Sequence, residues 1–423
     1  MSGASVASGP GAGFPKRKIV VELFESVHDD GVAMLREAGF DVRTHAGSPD
    51  GSAIAEAARS AHVLGVRSKT TLPAELLAGA TKLLAIGCFC IGTDQVDLDA
   101  ARARGVPVFN APFSNTRSVA ELTIAEVIAL HRRLFEQSTK MHAGAWDKSA
   151  GGAHEIRGRT LGIVGYGHIG AQVSVLAEAM GMRVIFCDTQ AKLALGNAEQ
   201  VSGLDELLAR ADVVTLHVPS TGSTRGLIGK AQLEKMKPGA FLINNARGSV
   251  VDVAALASAL QSGRLAGAAL DVFPEEPRSR GEAFESELRG LPNVILTPHI
   301  GGSTEEAQGA IARDVATKLI RFVNVGATTG AVNMPEVDLA PQPALGGDKP
   351  RPVRVLHTHR NVPGVMRSIH EAIGATGANV WGEHLETSGD IGYVVLDADP
   401  TDGEALAERL RGVAETIRVR VLY

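Results

Sequence analysis

Cysteine is scarce in this chain, with 3 residues among 423. Three thiols cannot build a disulfide framework. Cys88 and Cys90 lie two apart with no second ligand pair, and Cys187 closes an apolar run. That pattern predicts buried thiols in a reducing cytoplasm and no metal site. An excess of one charge sign is missing too. Against 47 acidic residues stand 42 Lys and Arg, a net charge of −5, which gives no general attraction to nucleic acid or to an acidic membrane. No apolar run approaches the ~18 residues a spanning helix needs. The Ser/Gly/Ala-rich opening lacks the charged start and apolar core of a signal peptide, and residues 1–16 read as a disordered extension. What is present is a globular composition, 44% hydrophobic and 21% charged, long enough for about three domains.

The most informative stretch runs from Leu161 to Gly170. An apolar run ends in Gly165, Gly167 and Gly170, spaced G-x-G-x-x-G, with His168 and Ile169 inside the motif. A helical segment follows through Met180, and Asp188 closes a second apolar run, Val184 to Cys187. Each part has a job in holding a dinucleotide. The first glycine permits the tight turn, the second lets backbone approach the pyrophosphate, and the third lets helix pack on strand. The helix start then offers N–H groups to phosphate, and the acid accepts from ribose hydroxyls. The motif alone is weak evidence; the strand, the helix and the spaced acid supply the context it requires.

Short apolar runs at Ile19–Leu23, Val63–Val66, Leu83–Ile86 and Val106–Phe109 alternate with helical stretches, which argues for a parallel sheet. A helical segment from about Ser118 to His142 leads into the dinucleotide block. There the strand ends carry polar residues: His217, then Asn244 to Arg247, then Asp271, then Thr297 to His299. Ligands of open α/β sheets bind outside the carboxyl ends of the strands, so these ends point to one cleft. Ser303–Val323 reads as a helix, and residues 335–352, rich in Pro and Gly, as a linker with Gly346-Gly347 as a hinge. The remainder, 353–423, reads βαββαβ, a ferredoxin-like sandwich, its last strand placing Arg418 and Arg420 outward.

Hydride transfer from an alcohol requires a base for the hydroxyl proton. Histidine titrates near neutrality and suits that task, a carboxylate suits its support, and arginine's rigid fork suits a substrate carboxylate. The second block offers His299, Glu275 and Glu276, and Arg247. Taken singly, each has an ordinary structural alternative: a core histidine, a solvated acid, a salt-bridged loop arginine.

Taken together, Ile86–Thr93, Val108–Glu121, the Gly165 loop, Asn245–Gly248 and Thr297–Thr304 closely resemble the D-isomer-specific 2-hydroxyacid dehydrogenases, in the form that carries a C-terminal ACT domain. The resemblance runs from about residue 17 to the C-terminus. It implies a Rossmann-type cofactor domain (113–304) inserted in a flavodoxin-like substrate domain (17–112 and 305–334), both doubly wound parallel sheets, with an ACT domain at 353–423. It implies NAD as cofactor, met by Gly165, Gly167, His168, Ile169, Gly170, Asp188, Asn245, Ala246, Arg247, Asp271, His299, Ile300, Gly301 and Gly302. Arg247 then binds substrate, His299 is the acid/base and Glu276, the acid directly before proline, supports it. For 3-phosphoglycerate, the substrate implied, the matching positions are Arg67, Ser68 and Asn115, with Trp146 and Lys148 acting from a neighbouring subunit. Lys69 stands where many relatives have a second arginine. His359, Asn361 and Asn379 match positions that bind L-serine across paired ACT domains. A homotetramer in the first step of serine synthesis follows from the same resemblance. Rival readings are a reductase for glyoxylate, hydroxypyruvate or 2-oxoglutarate, and a dinucleotide-sensing corepressor-like protein.

Overall fold

The computed structural model describes residues 16–48, 51–277, 281–340, 352–399 and 403–422. The extension expected at 1–16 lies outside them apart from Lys16, which opens a short 3-10 turn, Lys16–Lys18. Most of the linker, with Gly346-Gly347, lies outside them as well. The described residues fall into two compact units, one of residues up to 114 with those from 309 onward, the other of residues 115–308. No helix among them is long and apolar enough to cross a membrane.

The first unit begins with a parallel sheet of β1 (Val20–Leu23), β2 (Asp41–Thr44), β3 (Val63–Val66), β4 (Ala85–Cys88) and β5 (Val108–Phe109), in the order β2-β1-β3-β4-β5. That is the flavodoxin-like order. Every residue of β3 and β4 is buried, since helices cover both faces of such sheets, and both strands therefore read as unbroken apolar runs. Edge strand β2 escapes the sequence pattern because only Val42 of its four residues is buried.

The second unit holds β6 (Thr160–Val164), β7 (Arg183–Cys187), β8 (Glu199–Gln200), β9 (Val213–Leu216), β10 (Ala240–Asn244), β11 (Leu265–Leu270) and β12 (Val294–Leu296). Their order, β12-β11-β10-β9-β6-β7-β8, reverses between β6 and β9, which is where such sheets open a ligand crevice. The single helical segment expected over 118–142 is two helices, Thr116–Arg132 and Leu134–His142. They meet at Arg133, whose φ of 51° is left-handed. Its guanidinium grips Glu136 through both carboxylate oxygens and donates to the Gly151 carbonyl at 2.9 Å, bonds that hold a conformation arginine otherwise avoids.

The C-terminal residues form an antiparallel sheet of β13 (Val353–Arg360), β14 (Val380–Ser388), β15 (Ile391–Ala398) and β16 (Thr416–Leu422), ordered β14-β15-β13-β16. Helices Val365–Gly374 and Gly403–Arg411 pack Ile369, Ile373, Leu406 and Leu410 on one face. The other face is not open to solvent. Leu356, Tyr393 and Val395 join the core of the first sheet with Val315, Leu319 and Phe322, and the Tyr393 hydroxyl donates to the Gly326 carbonyl at 2.7 Å. This corrects the outward placement of two arginines. Arg420 lies over the Phe322 ring and donates to the Val323 carbonyl, and burial lowers the pKa of both Arg420 and Arg418, the latter to about 10. Period-2 alternation separates two faces; it does not say that the polar one meets water.

Candidate active site

The dinucleotide turn follows β6. Gly165 has a φ of 92°, and a Cβ there would lie 2.5 Å from the His217 carbonyl oxygen. A Cβ at Gly170 would overlap the Gly165 carbonyl, so helix His168–Ala179 could not seat against the strand with any larger residue. At Gly167, the residue before that helix, no atom stands within 4 Å of where a Cβ would be. The loop is thus tight on the protein side and open at the helix start, where the positive end of the helix dipole favours an anion. Asp188 follows β7, its carboxylate accepting from Tyr166 N at 2.8 Å and Gln190 N at 3.1 Å. These features fit a dinucleotide: a glycine cradle, a helix start for pyrophosphate and an acid at the second strand end.

The acid/base pair stands at the other end of the same sheet. His299 Nδ1 lies 2.9 Å from Glu276 Oε2, with side chains 50% and 37% exposed. The hydrogen bond to Glu276 raises the His299 pKa, burial opposes the rise, the charges of Glu276 and Asp271 add to it, and Arg247 works against it. For Glu276, burial pushes upward, but the His299 bond and charge, the Phe273 N–H and Arg247 together bring it below the usual carboxyl value. His299 adopts a left-handed φ of 56°, which is strained for a residue with a Cβ and persists only when its surroundings over-determine it. Asp271 supplies that determination. At 1% exposure, it accepts from Thr297 Oγ1 at 2.6 Å, Ile300 N at 2.7 Å and Gly301 N at 2.6 Å. Expected as a cofactor contact, Asp271 has its carboxylate engaged beneath the histidine loop.

Arg247 sits on the turn after β10. Asn244 braces it, accepting from Ala246 N at 3.1 Å and donating to the Arg247 carbonyl at 3.0 Å. Arg247 Nη1 donates to the Ala246 carbonyl at 2.8 Å. Gly248 then passes so close to the chain at Phe273–Pro274 that a Cβ would overlap the Phe273 carbonyl. The arginine turn is thereby pressed against the segment that carries Glu276, although 29 positions separate the two residues in sequence. Asn245, expected to meet the cofactor, turns its side chain inward to Thr123 and Glu126 on helix Thr116–Arg132. Asn115, the residue before that helix, has its Nδ2 against the Gly302 backbone and a buried Oδ1 without a hydrogen-bond partner.

In the first unit, Arg67, Ser68 and Lys69 follow β3. What shapes this loop is not legible in the local sequence. Glu25 and Ser26 both have left-handed backbones, φ 65° and 51°. The Glu25 carboxylate accepts from Arg67 N, Lys69 N and Thr70 N at 2.8–3.3 Å, and its carbonyl accepts from Arg67 Nη1 at 3.3 Å. No local motif announces Glu25, because its partners lie 42 to 45 residues away. Trp146, 77% exposed, and Lys148 stand on the segment after helix Leu134–His142, where Leu134, Phe135 and Met141 are exposed as well. Of the expected effector residues, Asn361 and Asn379 are exposed, whereas His359 is buried at the end of β13 with Nδ1 3.3 Å from His357 Nδ1. Burial lowers the pKa of both imidazoles, that of His357 to about 4.

Residues 124–301 match the family model described as the D-isomer specific 2-hydroxyacid dehydrogenase NAD binding domain. Among curated proteins, D-3-phosphoglycerate dehydrogenase of Haemophilus influenzae is 50% identical over 96% of this chain and 98% of its own length. D-3-phosphoglycerate dehydrogenase 1 of Saccharomyces cerevisiae is 46% identical over 95% of this chain and 87% of its own. Among solved structures, a D-lactate dehydrogenase from Aquifex aeolicus, complexed with NAD and lactic acid, covers 75% of this chain and all of its own, with a TM-score of 0.67 and 31% identity. With the glycine cradle, Asp188 and the His299–Glu276 pair on one sheet, the chain belongs to the D-isomer-specific 2-hydroxyacid dehydrogenases, NAD-dependent oxidoreductases.

Proposed function

We propose that this protein oxidises 3-phospho-D-glycerate to 3-phosphooxypyruvate with NAD, the first step of L-serine synthesis, in the cytoplasm. The observation that carries the reading is the His299–Glu276 pair, in a chain whose full-length relatives are phosphoglycerate dehydrogenases. His299 takes the hydroxyl proton, and Glu276 favours the imidazolium that forms. Arg247 holds the substrate carboxylate through its fork. When bound, NAD accepts the hydride that leaves C2 as the carbonyl forms. Asp188 selects NAD by accepting from the adenosine ribose and repelling a 2′-phosphate. Arg67 and Ser68 meet the phosphate group of the substrate, with Asn115 as a further donor and Glu25 setting the Arg67 loop. Residues 17–112 and 305–334 serve as the substrate domain.

The exposed apolar residues Leu134, Phe135, Met141 and Trp146 support assembly through this face toward a homotetramer, with Lys148 reaching a neighbouring site. L-serine is the proposed effector at Asn361, Asn379 and His359 of paired ACT domains. Turnover of 3-phosphoglycerate with NAD tests the whole reading. His299→Ala is expected to lower kcat by roughly 10²–10⁴-fold, the usual worth of a positioned proton carrier. Arg67→Ala is expected to weaken 3-phosphoglycerate far more than an unphosphorylated 2-hydroxy acid. Equal turnover of both substrates by the wild-type enzyme would overturn the substrate assignment.

A further inference from the structure

Behind the turn that presents Arg247 lies an acid that the chemistry above leaves unused. Glu126, on helix Thr116–Arg132, is 2% exposed. Asn245 Nδ2 donates to Glu126 Oε2 at 2.7 Å and to Thr123 Oγ1 at 3.0 Å. Thr123 gives its own hydroxyl proton to the Val119 carbonyl at 2.9 Å. Both amide hydrogens of Asn245 are therefore placed. Two buried oxygens remain without a partner, one from each group: Glu126 Oε1 and Asn245 Oδ1. Two acceptors cannot satisfy each other, and buried polar atoms are rarely left unpaired. A single proton on Glu126 Oε1 removes both deficits at once.

We propose that Glu126 is a positioning residue that carries a proton at neutral pH and pairs with Asn245 as acid with amide, O–H to Oδ1 and N–H to Oε2, so fixing the turn that presents Arg247. The electrostatics agree. Burial drives the Glu126 pKa upward, the Asn245 N–H opposes, and the negative charge of Asp271 adds to the rise, which reaches about 8. Strands β10 and β12, packed on the same helix, bring no ionisable side chain, and β11 brings Asp271 at its end. Helix His168–Ala179 carries His168 and Glu178, and helix Leu134–His142 carries Glu136, Lys140 and His142. On Glu126's own helix stand Arg117, Glu121, His131 and Arg132. No cation among these offsets the burial of Glu126. The consequence for substrate binding rests on Arg247 being the carboxylate clamp; the protonation does not.

Glu126→Gln decides the matter, because glutamine reproduces the neutral acid and makes both hydrogen bonds at every pH. A wild-type Glu126 that binds its proton in the folded state but releases it on unfolding loses stability as pH rises from about 5 to about 8, and no further above that. The melting temperature of wild type should therefore fall behind that of Glu126→Gln across this range, the gap then staying constant. Melting temperatures that run parallel from about pH 5 to 9 overturn the proposal. So does the absence, in wild type at neutral pH, of a protonated-carboxyl infrared band that Glu126→Gln lacks. Glu126→Ala should raise KM for the hydroxy acid, and Glu126→Gln should restore it; an unmoved KM in the alanine variant overturns the positioning role. If Arg247→Ala also leaves KM unmoved, the clamp reading has failed instead, and the melting and infrared measurements still decide the proton.

Discussion

Gly248→Ala tests whether the contact between the Arg247 turn and the Glu276 segment sets the active-site geometry. The added Cβ would overlap the Phe273 carbonyl carbon and oxygen and the Pro274 nitrogen, inside the 3.0 Å that real Cβ atoms keep. These are backbone atoms and cannot rotate aside, so one segment must retreat by about 1 Å, a misplacement that costs roughly 10²-fold in rate. Overpacking of this kind also destabilises by about 1–3 kcal/mol, and backbone-on-backbone contact argues for the upper part of that range. The expected variant folds, has a lower urea midpoint at unchanged m-value, and loses about 100-fold in kcat/KM for the hydroxy acid. Its NAD affinity, read by fluorescence titration, should change less than kcat/KM, because the Gly165 turn and Asp188 lie on the other side of the sheet's reversal point. Gly222→Ala, where no atom lies within 4 Å of the added carbon, is the control. Wild-type kcat/KM in Gly248→Ala would refute the claim that this contact places Arg247.

Glu276→Gln removes the largest influence raising the His299 pKa. Oxidation needs neutral His299, so the acid limb of the kcat/KM profile should move to lower pH; an unmoved limb would separate the two residues functionally. Glu25→Ala should raise KM for 3-phosphoglycerate by roughly tenfold or more, the worth of at least one charged hydrogen bond, because the Arg67 loop loses its anchor. Equal losses on unphosphorylated acids would mark Glu25 as a fold residue only. Asn361→Ala should abolish inhibition by L-serine and leave uninhibited turnover near wild type, while calorimetry that detects no serine on wild-type protein would end the effector reading. An effector acts only through different affinities for two states, so inhibition and occupancy must fall together.

Elements whose signal is local can be read from the chain alone. The Gly165 motif is legible because one turn must satisfy strand, helix and phosphate within a few residues. The buried strands β3, β4, β6, β7, β9 and β10 are legible because burial on both faces leaves an apolar run. The polar strand ends named His299 and Arg247, and the resemblance chose Glu276 over Glu275. Features that depend on partners far apart in the chain emerge only when the elements pack. Edge strands β2 and β8 have no apolar run, and the break at Arg133 depends on Glu136 and Gly151. Alternation in β16 could not say that the Arg418–Arg420 face would be covered. Asp271 beneath the His299 loop, Glu25 beneath the Arg67 loop and Glu126 against Asn245 each act through bonds across 26 or more positions. A periodic pattern reports which face is apolar; it carries no record of which buried polar group answers which, since that is fixed when the elements pack and every buried donor and acceptor has to find its partner.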